Sequence, residues 1–408
     1  MMKLVREASK GLELMAARFL AYRRDVRRRW LDYVIVLGIF VVVYIAIVVY
    51  YPQYYHDSAH YLARSLWYSG MSRQEAFDVV YNMHVSNGWE PTASIGQLFD
   101  WGLVAPRVVY PLIATPLVWA FGAKGMIATS ALITVVLLAS IYAMLANHYG
   151  RVAAIVSLLL TESSFLIMVF FAGMLTEALS ALWTLAALAA AYRYQRDPSK
   201  RWIVWMVVLT LLSAFTRQAT LIVAGAFIMA WLLSRFTRPS RGWGIPALAV
   251  AATSVATQIV QTWLFPFSQG DQYMRMTGTD TLWGALRATP SLARDILAQE
   301  LRSYAMHDQV LFAIIGLALI SMVVMWRHSE SHLLLGGLLA TALYTITNGN
   351  STDFRYALPG LIFFLSSIAL LVQRLIQLQV PVGARVVGAE QADEGGRFAP
   401  SERVAGRD

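Results

Sequence analysis

Long apolar segments recur along the chain and are separated by short polar stretches. Residues 31–50, 127–145 and 358–372 hold almost no charged side chain. Each comes close to the roughly twenty residues that a helix needs to cross a hydrocarbon core about 30 Å thick. The pattern therefore predicts an all-α polytopic membrane protein with about ten transmembrane helices.

Two kinds of element are expected within this pattern: full crossings and one partial helix. The partial helix spans 108–121, contains Pro111 and Pro116, and is expected to enter the outer leaflet and return. Two short helices are expected on either side of Arg217, which interrupts the apolar run from 202 to 233. The predicted crossings are 31–50, 126–146, 152–171, 174–192, 202–215, 218–233, 244–264, 309–326, 333–347 and 356–375.

Composition agrees with a membrane location. Hydrophobic residues make up 58% of the 408 positions and charged residues 14%, against about a quarter in soluble chains. The chain contains no cysteine, which excludes disulfides, thiol catalysis and thiolate metal sites. The first apolar run is longer than the hydrophobic region of a cleaved signal, so it is expected to act as a signal anchor.

Basic residues mark the side of the membrane that each loop faces. They occur in short runs beside apolar segments, which is typical of orientation by the positive-inside rule and not of nucleic-acid binding. We therefore expect a basic cytoplasmic N-terminus, 1–30, a transmembrane domain, 31–377, and a disordered cytoplasmic tail, 378–408. The chain is then a multi-pass protein of the bacterial inner or plasma membrane with both termini inside. The runs contain Arg23, Arg24, Arg27, Arg28 and Arg29; Arg193, Arg196, Lys200 and Arg201; and Arg235, Arg238 and Arg241.

Two long loops, 53–104 and 265–307, are expected on the outer face. The first begins with an amphipathic pattern after residue 58, and Ser72 with Glu75 forms a capping-box pattern that starts a second helix. These juxtamembrane helices are expected to lie on the membrane surface. The second loop contains a further helix-like stretch, 291–304.

Ionisable side chains near a membrane are costly and indicate function. Under this topology, three acids and three arginines fall at one level on the outer face. They are Asp57, Arg107, Glu177, Arg217, Asp353 and Arg355.

Each of these residues also has a structural interpretation. Asp57 is able to cap the helix that follows it, and Arg217 is able to pair with Glu177 or Asp353. Arg107 and Arg355 are able to act as interfacial anchors. Glu162 is interpreted as a polar helix end, and His56 and His60 beside Asp57 as surface residues without a metal.

The order of several segments resembles the GT-C superfamily of polyprenyl-phosphate-dependent membrane glycosyltransferases, which includes protein O-mannosyltransferases and aminoarabinose transferases. The segments are the aromatic stretch at 54–63 after the first span, the proline-containing helix at 109–122, Leu175-Thr176-Glu177 and Phe215-Thr216-Arg217-Gln218. The similarity covers about 30–235, with weaker agreement in element order to about 375.

The resemblance implies transfer of a sugar from a polyprenyl-phosphate donor to an acceptor hydroxyl, with inversion and on the outer face. It implies Asp57 as the general base, and Arg217, Arg355 and Arg107 as groups that stabilise the departing phosphate. His56, Glu177, Asp353 and Gln218 would support them. No cofactor is implied, although a divalent metal is left open. Expected partners are membrane lipids, the lipid-linked sugar and an unknown glycan, lipid or protein acceptor, without nucleic acid.

Two other functions stay open. A membrane transporter or flippase would use the broken apolar segments as discontinuous helices around a substrate. A polysaccharide polymerase or ligase with a lipid-pyrophosphate donor would also use external arginines. The family's second adjacent acid after the first span is missing here, because Asp57 is flanked by His56.

Overall fold

A computed structural model describes residues 29–379 except 89, 91–93, 238–241, 267 and 329. The described residues form α-helices and one 3-10 helix, without a strand, which confirms the all-α class. In chain order the α-helices are α1 (Arg29–Tyr50), α2 (Ser58–Tyr68), α3 (Arg73–Ser86), α4 (Ile95–Asp100), α5 (Val109–Phe121), α6 (Lys124–His148), α7 (Arg151–Ser163), α8 (Phe165–Ala172), α9 (Glu177–Arg196), α10 (Lys200–Thr216), α11 (Thr220–Thr237), α12 (Gly244–Leu264), α13 (Gln269–Thr277), α14 (Leu282–His307), α15 (Gln309–Val324), α16 (Ser331–Thr347) and α17 (Leu361–Gln379), and the 3-10 helix is Arg355–Gly360.

Four helices of the described chain are long and apolar enough to cross a membrane. They are α1, α6, α12 and the continuous segment formed by the 3-10 helix and α17. A fifth crossing results if α7 and α8 are counted as one bent span. Four further apolar helices, α5, α11, α15 and α16, are shorter. The structure therefore supports a helical membrane protein, whereas the count of about ten crossings stays a prediction.

The predicted crossing at 152–171 is not one straight helix, because α7 and α8 meet at an angle of 75°. Ser164 separates the two helices, and its hydroxyl accepts a hydrogen bond from the Ile167 N–H of α8. Asp308 accepts two more, from the Ser164 hydroxyl at 2.7 Å and the Leu166 N–H at 2.8 Å. The hydrogen bonds that would continue α7 are thus replaced by a cap, which ends one helix and starts another.

The side of α1 that points away from the rest of the molecule is apolar although it is exposed. Val36, Phe40 and Tyr44 recur every four residues and are buried against the rest of the molecule, whereas Val42 and Ile45 are exposed. A helix whose exposed face met water would carry polar residues there. This exposed apolar face is typical of a helix that contacts lipid.

Small residues let α11 and α16 approach closely. A Cβ atom added to Gly225 would lie 2.7 Å from the Ala340 Cβ, and one added to Gly336 would lie 2.7 Å from the Met229 Cβ. Glycine permits this spacing because it has no side chain, as is common where membrane helices pack.

The two long loops fold into helices, as predicted. The first contains α2, α3 and the short α4, and the capping box between Ser72 and Glu75 is present. The second contains α13 and α14, and α14 is longer at both ends than the predicted stretch 291–304. The short helix before Gly122 and the break between α10 and α11 are also confirmed.

Several predictions fall on residues outside the described part of the chain. They are the basic N-terminus up to residue 28, Arg238 and Arg241 of the third basic run, and the tail from 380. The assignment of the loops to the outer face stays a prediction.

Candidate functional site

Four of the predicted residues meet in one buried cluster, although they come from distant parts of the chain. Asp57 immediately precedes α2 and Glu177 is the first residue of α9. Arg217 occupies the break between α10 and α11, and Arg355 begins the 3-10 helix. The side chains of Glu177 and Arg217 are completely buried. The cluster therefore lies where four helix ends converge.

Glu177 is the centre of the cluster because two arginines donate to one of its oxygens. Arg217 Nη1 lies 2.6 Å from Glu177 Oε1, and Arg355 Nε lies 2.5 Å from the same atom. Arg355 also donates through Nη2 to Asp57 Oδ2 at 2.6 Å. The Arg355 guanidinium thus joins two carboxylates whose residues are far apart in sequence. The proposed structural pairing of Arg217 with Glu177 is confirmed.

The Arg217 guanidinium has a second favourable contact. Its Cζ lies 4.4 Å from the centroid of the Tyr356 ring, which is a cation–π arrangement. Arg217 Nε and Nη2 nevertheless have no hydrogen-bond partner in the structure, and neither has Glu177 Oε2. The cluster therefore keeps unused polar atoms in a region that excludes water, which is unusual for a purely structural ion pair.

Arg107 lies near the cluster and is held by α2. Its Nη1 donates to the Tyr61 hydroxyl at 2.9 Å, and its Nε is buried without a partner among the residues that the structure describes. Arg64 of the same helix fixes the segment before Arg107 by donating to the carbonyl oxygens of Phe99, Val104 and Ala105. The buried guanidinium of Arg64 thus positions Arg107 and leaves Arg107 Nε available.

Asp57 does not cap α2 with its side chain, so that interpretation is wrong. It occupies the N-cap position, but no helix N–H reaches its carboxylate, which Arg355 holds instead. Burial favours the neutral acid, but the charges of Arg355 and Arg107 outweigh burial and lower the pKa of Asp57 to about 2. Asp57 is therefore ionised at neutral pH, and a carboxylate with so low a pKa is a poor general base.

A strained loop carries Arg355 into the cluster. Asp353 and Phe354, with φ of 53° and 71°, both adopt the left-handed conformation that side chains other than glycine rarely take. Glu300 of α14 stabilises this loop, since its carboxylate accepts from the N–H groups of Thr352 and Phe354. The Ser351 and Tyr304 hydroxyls also bind Glu300. A buried carboxylate thus holds the loop in its strained form.

A cavity of about 570 Å³ lies beside the cluster. Its charged lining residues are Asp57, Arg107 and Arg355, so the lining carries one excess positive charge. Most of its other polar lining groups are amides, hydroxyls and phenols. They are Gln218, Gln258, Gln272, Tyr273, Tyr344, Thr347, Asn348, Asn350, Ser351, Thr352 and Tyr356.

The remaining predicted residues have different positions. Gln218 lines the cavity and donates to Gln261 Oε1 at 3.2 Å. Asp353 is exposed and accepts from the Ser303 hydroxyl at 2.6 Å, so its predicted place in the cluster is wrong. His56 does not line the cavity, and its ring lies 5.6 Å from that of His84. His60 was expected at the surface but is buried, with Nδ1 2.9 Å from the Leu98 carbonyl oxygen.

The part of the chain that the structure describes contains no group of three His, Cys, Asp or Glu side chains arranged to hold a metal ion. The two carboxylates of the cluster are bound by arginine. The charge of these groups is thus already balanced by guanidinium groups.

Sequence reasoning missed three residues that position the cluster: Arg64, Glu300 and Tyr61. The spacing of Glu300 and Tyr304 on one face of α14 is a signal that the sequence contains, since residues four apart on a helix are neighbours. Arg64 lies within the apolar pattern of α2, where a charged residue indicates a buried partner.

No family model matches this chain. A segment of 91 residues is 37% identical to the zinc transporter ZitB of Pectobacterium atrosepticum. The segment is 22% of this chain and 28% of that transporter, so the chain spans little more than a quarter of the relative's length.

This similarity contradicts the predicted glycosyltransferase function and favours the alternative, a membrane transporter. The sugar-transfer prediction depended on the order of several short segments, none of which was specific by itself. The role of Asp57 as a general base is rejected together with that function. The low pKa of the Asp57 carboxyl also opposes this role.

Proposed function

We propose that this protein is a membrane transporter whose cavity binds an anionic, hydroxyl-rich solute. The observation that carries the proposal is the positive excess charge of a roomy polar cavity inside a helical membrane protein. Arg107 and Arg355 line it with a single carboxylate, Asp57. Arg217 and Glu177, immediately behind Arg355, neutralise each other and add no net charge.

The burial of the arginine side chains makes this excess charge effective. Arg107 is 6% exposed and the side chain of Arg355 is 16% exposed, so water screens neither charge well. Charges in such surroundings attract an opposite charge more strongly than charges at a surface. The unpartnered Arg107 Nε is a donor that an anionic group of the solute would satisfy.

The amide and hydroxyl groups of the lining indicate the rest of the solute. Gln218, Gln258, Asn348 and Asn350 each carry both donors and an acceptor, which match the hydroxyl groups of a sugar or polyol. The cavity volume suits a small molecule of this kind. In this proposal the cavity faces the outside of a bacterial plasma membrane, with both termini in the cytoplasm.

Zinc is the second candidate solute because the matched protein is a zinc transporter. Zinc is bound by histidine, thiolate or carboxylate ligands. The carboxylates of this site are bound to Arg355 and Arg217, whose positive charges repel a cation. We therefore favour the anion.

The proposal is tested in vesicles that contain the purified protein. We expect uptake of labelled glucose 6-phosphate to exceed uptake of glucose, because the two differ by the anionic group. In Arg107→Gln we expect solute binding to weaken about tenfold to a hundredfold, as when a charge-assisted hydrogen bond is lost. Arg294→Gln is the matched control, since Arg294 is exposed on α14, and it should leave uptake unchanged.

Three outcomes contradict the proposal in different ways. Uptake of zinc without uptake of the sugar phosphate would keep a transporter and reject the anion. Equal uptake of glucose and glucose 6-phosphate would reject the charge argument. Vesicles that take up none of the three solutes would reject transport of this solute class.

A further inference from the structure

Glu162 is a buried carboxylic acid that the cavity does not use. It lies one residue before the end of α7, directly before the 75° bend into α8. Glu162 is 2% exposed, and Leu158, four positions earlier on the same helix face, is completely buried. Glu162 lies at a helix end, as the sequence suggested, and the fold encloses its side chain in the protein interior.

Both carboxyl oxygens of Glu162 are buried without a hydrogen-bond partner among the described residues. Every other acid in this part of the interior is bound: Glu177 and Asp57 by arginine, Glu300 by backbone N–H groups, and Asp308 by Ser164 and Leu166. Glu162 is therefore distinct from the acids that stabilise the fold.

The elements around α7 provide no charge that compensates Glu162. The ionisable side chains of α6 are Lys124, Tyr142 and His148, that of α17 is Arg374, and α8 and α15 have none. Asp308 precedes α15 and caps α8 and α15. Arg151 begins α7, about 16 Å along the helix axis, and binds Asp32 of α1.

An isolated carboxylate in such surroundings is costly, whereas the neutral acid is tolerated. Neutralisation requires the binding of one proton. Ionisable residues inside membrane proteins commonly belong to proton or ion pathways, because they are too costly to keep without a function.

The bend at Glu162 is connected to the cavity through α14. Asp308 binds the bend at Ser164, between the two helices, and at Leu166 of α8, and it immediately follows α14. Glu300 of α14 holds the strained loop that presents Arg355 to the cavity. A movement of the bend would therefore be transmitted to α14 and to Arg355.

We propose that Glu162 is a proton-binding site that couples solute transport to the proton gradient. The inference rests on the proposed transport function and adds the coupling ion to it. In the conformation described here, Glu162 holds a proton. When the bend opens to water on one side, the carboxyl releases that proton, and it takes up another from the opposite side in the next cycle. One proton is bound and one is released, so the charge balances.

The protonation of Glu162 is tested first, independently of transport. Infrared spectra of the purified wild type at neutral pH should contain the carbonyl stretch of a protonated carboxylic acid. Glu162→Gln should remove this band, and Glu90→Gln, a matched change at an exposed position, should not. A band that persists in Glu162→Gln would overturn the proposal.

Coupling is tested with the same variants in vesicles under an imposed pH gradient. For one proton per solute molecule, each unit of pH difference should change glucose 6-phosphate accumulation by about tenfold in the wild type and in Glu90→Gln. In Glu162→Gln, accumulation should no longer respond to the gradient, while exchange of solute at equal pH continues.

The outcomes separate this inference from the proposed function. A wild type that transports solute without response to the gradient would overturn the coupling and keep the transporter. A wild type that transports none of the solutes would remove the proposed function, and the coupling would fall with it. Loss of the infrared band together with loss of the gradient response supports the role of Glu162.

Discussion

At the scale of single residues, Glu177 has the largest structural effect in the cluster. Its carboxylate is shared by Arg217 and Arg355, and the side chains of Glu177 and Arg217 are completely buried. Removal of one partner from a buried ion pair leaves the other charges uncompensated, which costs more than the pair itself contributes.

We therefore predict that Glu177→Gln lowers the free energy of unfolding by about 3–5 kcal/mol. Asp197→Asn is the matched control, because Asp197 also binds an arginine, Arg201, but both side chains are exposed. The control should change stability little, since exposed ion pairs contribute little. Thermal unfolding in detergent measures both, and equal shifts for the two variants would contradict the prediction.

The pH dependence of stability is also decided by single residues. Asp57 has a pKa lowered to about 2, so its contribution is complete above its unfolded pKa of about 4 and is lost only as the pH falls toward 2. His60 is different, because burial lowers its pKa and favours the neutral ring. Its contribution is complete above the unfolded histidine pKa of about 6.5 and is lost as the pH falls through the lower folded pKa.

We predict that the unfolding temperature of the wild type falls when the pH is lowered from 7 to 5, and that His60→Gln weakens this dependence. His60 is buried against Leu98 and the Trp101 ring, which lies 5.3 Å away, so its protonation would place a charge where water is excluded. His307→Gln changes an exposed histidine and should leave the dependence intact. Identical pH profiles for the wild type and His60→Gln would exclude this role.

At the scale of elements, α14 determines the shape of the loop before Arg355. Two consecutive residues in the left-handed conformation cost about 1–3 kcal/mol each, which the surrounding contacts must offset. Phe354 packs on Tyr304 of α14 and on Phe364 of α17, while Glu300 binds the loop N–H groups. The loop and α14 therefore form one unit.

We predict that Glu300→Gln weakens the attachment of the loop to α14. The amide keeps one acceptor oxygen, but its NH₂ group faces backbone donors, so at least one buried N–H loses its partner at a cost of about 1–3 kcal/mol. Hydrogen exchange at Thr352 and Phe354 should become faster, with Asp295→Asn on the exposed part of α14 as the control. Unchanged exchange in Glu300→Gln would show that the aromatic contacts alone hold the loop.

At the scale of the whole molecule, the cluster and the basic run near residue 200 lie at opposite ends of α9. This helix starts at the cluster with Glu177 and ends at Arg196 after 20 residues, a length of about 30 Å. That length equals the thickness of the hydrocarbon core. A crossing by α9 is a prediction, and it would place the two ends of this helix on opposite sides of a membrane.

We predict that Ser86 and Lys200, both exposed, are accessible from opposite sides. The chain contains no cysteine, so Ser86→Cys and Lys200→Cys can each be labelled without a background. In intact cells an impermeant maleimide should modify the first variant and reach the second only after permeabilisation. Labelling of both from one side would contradict this topology.

Most of the helices and the residue types available to the site follow from local sequence patterns. Apolar runs and helix breakers act within a few residues, because backbone hydrogen bonds of a helix join positions four apart. The short α5 and the break at Arg217 were therefore predictable. The glycosyltransferase resemblance depended on the order of such segments, and segment order alone did not identify the function.

Which charged groups meet depends on the packing of distant helices. Asp57 and Arg355 are 298 positions apart, and no local pattern indicates that Asp57 leaves its helix to bind this arginine while Asp353, two residues away, turns to Ser303. The burial of Glu162 and the binding of the loop by Glu300 were undetectable for the same reason. Packing between distant helices decides which partner a charged group meets. It also decides how strongly the two groups attract each other, because it determines how far water is excluded.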